Sequence, residues 1–137
     1  MKRFALEKLK EWKTKPNRKP LIEKLLKWKQ SKRRKPLIIE GARQVGKTWL
    51  MKEFGRTCFE NVAYVNFDSN TRMQQVFEGE ISIERIVLAI SAETGISIDA
   101  QNTLLIFDEV QEVPKALSSL KYFCENAPEY AIVAAGS

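Results

Sequence analysis

The chain has 137 residues, 44% hydrophobic and 29% charged, enough for one domain around a single core, which excludes collagen-like, mucin-like and wholly disordered chains. No apolar run approaches the roughly 18 residues of a membrane span, and no signal-peptide pattern follows Met1. Cys58 and Cys124 lack metal-type spacing, which argues against a zinc site or disulfide scaffold and fits a reducing, cytoplasmic setting, while the absence of histidine removes Ser-His and Cys-His nucleophiles.

The net charge of +6 hides a split. Residues 1–36 carry 15 Lys/Arg against three Glu, a net of +12, and residues 37–137 carry 8 basic against 14 acidic residues, a net of −6. A basic helical leader over 1–36 and a partial P-loop domain body over 37–137 are expected on that division. The leader holds a repeat at an offset of 16: Leu6 to Ile22 overlays Ile22 to Ile38 with ten identical positions, Trp12/Trp28 and Pro20/Pro36 among them. Ala5, Leu9 and Trp12, then Leu21, Leu25 and Trp28, fall at helical spacing with lysines on the other faces. Amphipathic helices are expected near 2–13 and 21–30, the second ended by Lys32-Arg33-Arg34-Lys35 before Pro36.

From Leu37 the pattern changes to short apolar runs alternating with helical ones. Residues 37–40, 62–67, 104–108 and 130–135 predict strands, and their near-continuous hydrophobicity predicts burial on both faces of a parallel sheet. Residues 47–55, 82–93 and 114–125 predict helices, with Gly95 beyond the end of the second and Pro114 at the first position of the third. Alternation of this kind is βαβ logic. Asp68, beside Ser69 and Asn70, reads as a turn residue, and the cysteines read as reduced core thiols.

Gly41-Ala42-Arg43-Gln44-Val45-Gly46-Lys47-Thr48 matches G-x-x-x-x-G-K-[ST] in full. Its glycines let successive N–H groups point at phosphate oxygens, and the following helix adds its positive dipole end. Lys47 is expected to reach the β- and γ-phosphates and the Thr48 hydroxyl to ligate Mg²⁺. The run Leu104-Leu105-Ile106-Phe107-Asp108-Glu109 is a hydrophobic strand ending in two carboxylates, the expected Walker B partner: Asp108 for the magnesium, Glu109 for polarising the attacking water.

GARQVGKT, LLIFDEVQ with Pro114 shortly after, and the terminal AAGS resemble predicted bacterial and archaeal ATPases of the AAA superfamily, within the additional-strand class of P-loop NTPases. A Lys/Arg-rich leader with an L-x-x-W-K segment, as in Leu25 to Lys29, precedes the P-loop in such proteins. The resemblance implies an α/β three-layer sandwich with a parallel sheet of order 5-1-4-3-2, ATP and Mg²⁺ as ligands, Glu109 as catalytic glutamate, and a polar residue after the fourth strand, matched approximately by Ser137, sensing the γ-phosphate. Family members continue into a fifth strand and a lid. The chain reads as truncated after the fourth strand, with 37–40 as an uncovered edge open to self-association or to cover by the basic helices. Arg43, Arg56, Arg72 and Arg85 all have plain surface readings, so no arginine finger stands out and weak hydrolysis is expected.

The leader supports an alternative, a nucleic-acid-binding module with a vestigial nucleotide site. Its basic residues suit a phosphate backbone and Trp12 and Trp28 suit base stacking, against a reading in which both indoles anchor the helices on the sheet.

Overall fold

The computed structural model describes residues 2–3, 19–32, 34–40 and 46–136. In chain order they form β1 (Lys2–Arg3), α1 (Lys19–Gln30), β2 (Leu37–Glu40), α2 (Lys47–Cys58), β3 (Asn61–Asn66), α3 (Thr71–Val76), α4 (Ile83–Thr94), β4 (Thr103–Asp108), a 3₁₀ turn (Val110–Glu112), α5 (Pro114–Asn126) and β5 (Ala131–Gly136). The strands make one sheet of order β1-β2-β5-β4-β3, with every pair parallel. No helix among the described residues is long and apolar enough to cross a membrane.

Alternation along each strand divides the core in two. Leu37, Ile39, Leu104, Ile106, Ala131, Val133 and Ala135 face α1 and α2, meeting Leu25, Trp28, Leu50, Met51 and Phe54. Ile38, Ala63, Val65, Leu105, Phe107, Ile132 and Ala134 face the other way, onto Met73, Ile86, Ile90, Leu120 and Phe123 of α3, α4 and α5. β4 is buried at all six positions. The result is the expected α/β three-layer sandwich of a P-loop NTPase-like fold. The four core strands stand in the order implied for them, with β2 next to β5 and β3 outermost.

Helix ends follow local chemistry. Ser82 Oγ accepts from Arg85 N at 3.3 Å and Gly95 closes α4 in the left-handed region at φ 73°. Pro114 opens α5, where its missing N–H costs nothing. Asn70 Oδ1 accepts from Met73 N at 3.1 Å and caps α3, a short helix absent from the sequence expectation.

Three expectations are corrected. Lys2 and Arg3 lie in a strand and not in a helix over 2–13, the rest of which, with Trp12, falls outside the described residues. That strand takes the edge expected to be open: Lys2 stands beside Leu37 and Arg3 beside Ile38. The proposed self-association surface is thereby paired over half of β2. Cys58 and Cys124 are free but half-buried, where core positions were expected. Asp68 is a turn residue as read, its N–H bonded to Asn66 Oδ1 at 2.8 Å.

The crossing of α2 over β3 depends on Gly55. A β-carbon there would stand 2.4 Å from Val62 Cγ2 and 3.3 Å from Leu104 Cδ2. Alanine gains about 1 kcal/mol of helix propensity over glycine, but overpacking costs about 1–3 kcal/mol and the β-branched Val62 has little rotamer freedom to yield. The clash wins, and Gly55→Ala is expected to lower the urea-unfolding free energy by about 1 kcal/mol.

Candidate functional site

In a parallel sheet every strand delivers its C-terminal end to the same rim, and here Glu40, Asn66, Asp108 and Gly136 arrive together, Glu40 beside Gly136 and Asn66 beside Asp108. α2 starts at that rim. Its N-cap, Gly46, has φ 82°, no side chain caps the first turn and no acidic residue stands in it. The first-turn N–H groups and the positive dipole end therefore face the rim.

Lys47 is 7% exposed and its Nζ donates to the Gly136 carbonyl at 2.6 Å. Asp108 is 4% exposed. Burying a carboxylate costs several kcal/mol unless donors surround it, and three do. Oδ2 accepts from Thr48 Oγ1 at 2.6 Å and from the Tyr64 hydroxyl at 2.7 Å, and Oδ1 accepts from the Glu109 N–H at 3.0 Å. Thr48 and Asp108, 60 residues apart in sequence, thus meet in one hydrogen bond. Tyr64 reaches them because it lies opposite Ile106, two residues before Asp108, so strand alternation puts all three on one face. Lys52, one turn beyond Thr48, holds its Nζ 4.1 Å from the Tyr64 ring centroid. Burial, and then the Asp108 carboxylate bonded to its hydroxyl, push the Tyr64 phenol above its ordinary pKa.

Glu109 turns the chain out of β4 with φ 54° and ψ 43°. A non-glycine residue in that left-handed region costs about 1 kcal/mol. Its Oε2 accepts from Gln111 Nε2 at 2.7 Å.

Of the residues expected in the site, the rim unites Gly46, Lys47, Thr48, Asp108 and Glu109. Gly41, Ala42, Arg43, Gln44, Val45 and Ser137 lie outside the described residues. Arg56 pairs with Glu53 at 2.7 Å, Arg72 with Glu93 at 3.4 Å, and Arg85 donates to the Glu80 carbonyl, so these three arginines serve the surface as read. Tyr64 and Gln111 were not singled out. Gln111 belongs to the quoted DEVQ string without a role, and Tyr64 reads as one more strand aromatic.

The leader's second half is bound into the fold. Trp28 is buried on Phe54 and its indole N–H donates to the Lys35 carbonyl at 2.8 Å. The Arg34 guanidinium lies over the Trp28 ring and donates to the carbonyls of Lys29 and Glu129. Lys29 donates to the Cys58 carbonyl at the end of α2. Trp28 is therefore a structural anchor, and Arg34 bonds two backbone oxygens.

Removing the Tyr64 hydroxyl takes one of two O–H donors from a buried carboxylate oxygen, a contact worth about 1–2 kcal/mol. Tyr64→Phe is expected to lose that much in urea unfolding, while Tyr122→Phe, on a side chain 45% exposed, changes stability by less than about 0.5 kcal/mol.

A family model described as an AAA domain matches residues 33–137, and no curated protein matches the chain significantly. The match runs from the end of the basic leader through every strand and helix that builds the rim, and the fold it implies is the one observed. The chain therefore belongs to this AAA-domain family and is a nucleotide-binding, P-loop ATPase-like domain.

Proposed function

We propose that the chain binds ATP with Mg²⁺ over the rim formed by β2, β4 and β5 and hydrolyses the γ-phosphate, residues 37–137 being the ATPase domain and 1–36 its leader. The observation that carries this reading is the Thr48–Asp108 hydrogen bond, which joins the GARQVGKT segment to the end of LLIFDE. Two hard oxygens at one point suit magnesium, which takes one or two protein ligands and keeps the rest for phosphates and water. Among the described residues no group of three or more His, Cys, Asp or Glu could form an all-protein metal cage.

In this reading the backbone of Gly41, Ala42, Arg43, Gln44, Val45 and Gly46 cradles the phosphates, helped by the dipole at the N-terminal end of α2. Lys47 exchanges the Gly136 carbonyl for a phosphate oxygen, a stronger, charge-assisted partner. Thr48 and Asp108 hold Mg²⁺, and Tyr64 keeps Asp108 oriented. The bound nucleotide and its metal supply the phosphoanhydride and neutralise its charge. Glu109 orients the attacking water and accepts its proton, and Ser137 senses the γ-phosphate.

Calorimetric titration with a non-hydrolysable ATP analogue, with and without Mg²⁺, tests the site. Wild type is expected to bind in a magnesium-dependent way and Lys47→Ala to lose at least about 100-fold in affinity, the equivalent of about 3 kcal/mol of charge-assisted contact. Unchanged affinity in that variant would refute the assignment. Glu109→Gln is expected to retain the analogue and lose turnover by about 10²-fold or more, and hydrolysis at the wild-type rate would remove Glu109 from its role.

The alternative, nucleic-acid binding by residues 1–36, draws on exposed Lys27, Lys32 and Lys35. It requires oligonucleotide affinity that falls steeply with salt and weakens when these three are changed to alanine. Salt-independent or absent binding leaves the nucleotide reading alone.

A further inference from the structure

Gln111 is placed in an unusual way. Its Nε2 donates to Glu109 Oε2 at 2.7 Å, while its Oε1 is buried without a hydrogen-bond partner among the described residues. An unmatched buried acceptor costs about 1–3 kcal/mol. The reverse amide orientation would set Oε1 against Glu109 Oε2, acceptor against acceptor, so the contact selects the orientation in which Nε2 donates. On its other side Oε1 lies against Gly136, where a β-carbon would stand 2.4 Å from Oε1 and 3.4 Å from Cδ. Gly136 does not have a positive φ, so the backbone would accept alanine and the space for Gln111 would not. The Gly136 carbonyl is also the acceptor of Lys47. One strand-end residue thus touches the phosphate-site lysine through its carbonyl and the partner of Glu109 through its Cα.

We propose that Gln111 is the positioning residue for Glu109, fixing the plane of its carboxylate for the attacking water, and that position 136 is glycine in order to seat the Gln111 amide. This rests on the reading of Glu109 as the base. Gln111 touches neither phosphate nor metal in this role; it acts through Glu109.

The test uses the full chain with ATP and Mg²⁺. Gln111→Ala is expected to lower kcat about 10-fold, the scale of a misoriented catalytic group, with KM and analogue affinity unchanged. Gly136→Ala produces the same loss by expelling the amide, and the double variant is no slower than either single one, because alanine at 136 has nothing left to displace. Additive losses, a rise in kcat, or an unchanged kcat in Gln111→Ala would each overturn the proposal. A readout independent of turnover is the ¹⁵N-resolved side-chain amide of Gln111 in the nucleotide-free protein. It is expected away from the free-glutamine position in wild type and back at that position in Glu109→Ala and Gly136→Ala. A free-glutamine signal in wild type refutes the contact whatever the enzyme does. If instead Glu109→Gln still turns over while the amide signal behaves as expected, the base assignment fails and the contact stands.

Discussion

Because β4 is buried on both faces at all six positions, a charge on it is affordable only at the end, where the strand meets the rim. Parallel pairing with β3 and β5 then sends that end to the side where α2 begins, so topology and solvation together determine where a carboxylate can stand. Thr48, Tyr64 and the Glu109 N–H converge on Asp108 because a buried acid needs donors and these elements end there. The geometry that satisfies the acid also assembles two oxygens beside the N-terminal end of α2.

The rim gathers several departures from local preference. Lys47 and Asp108 are buried charged side chains, Glu109 is a left-handed non-glycine and Gln111 holds a buried acceptor unmatched among the described residues. Outside the rim, Ser69 is also left-handed and Arg34 Nε is buried without a partner among the described residues, while α3 and α4 begin on side-chain caps and α4 stops at a glycine. Strain gathered at one place and relieved by neighbours on several elements is the usual physical mark of a functional site.

How much of this was legible in the sequence depended on how local each cause was. The buried strands and the stripe of Ile86 and Ile90 announce themselves by period, and Gly46-Lys47-Thr48 and Asp108-Glu109 by pattern. What was not legible is tertiary. Pro20-Leu21-Ile22 and Pro36-Leu37-Ile38 are the same three residues in the two copies of the repeat, yet Leu21 and Ile22 lie inside α1 while Leu37 and Ile38 are strand. The second copy becomes strand because β5 offers it a ladder over Leu37 to Glu40, and no local signal carries that information. Tyr64 and Gln111 escaped for the same reason, since their partners are set by sheet register and by the turn after β4. The helix at Thr71–Val76 is short, and its only fully buried side chain is Met73, which leaves a period nothing to show.

The neighbours of β2 come from opposite ends of the chain: β1 at residues 2–3 and β5 at 131–136. During synthesis the strand that leads into the phosphate loop is made early, but its main ladder forms only after most of the described sequence has been added. Such long-range pairing is slow and leaves intermediates with exposed apolar surface, and Leu37, Ile38 and Ile39 are the residues that wait. The rim consequently takes its shape only once β5 has paired with β2. A ligand bound there would stabilise the paired sheet over species in which β2 is still unpaired, so that occupancy of the rim would report on completed pairing as well as on ligand concentration.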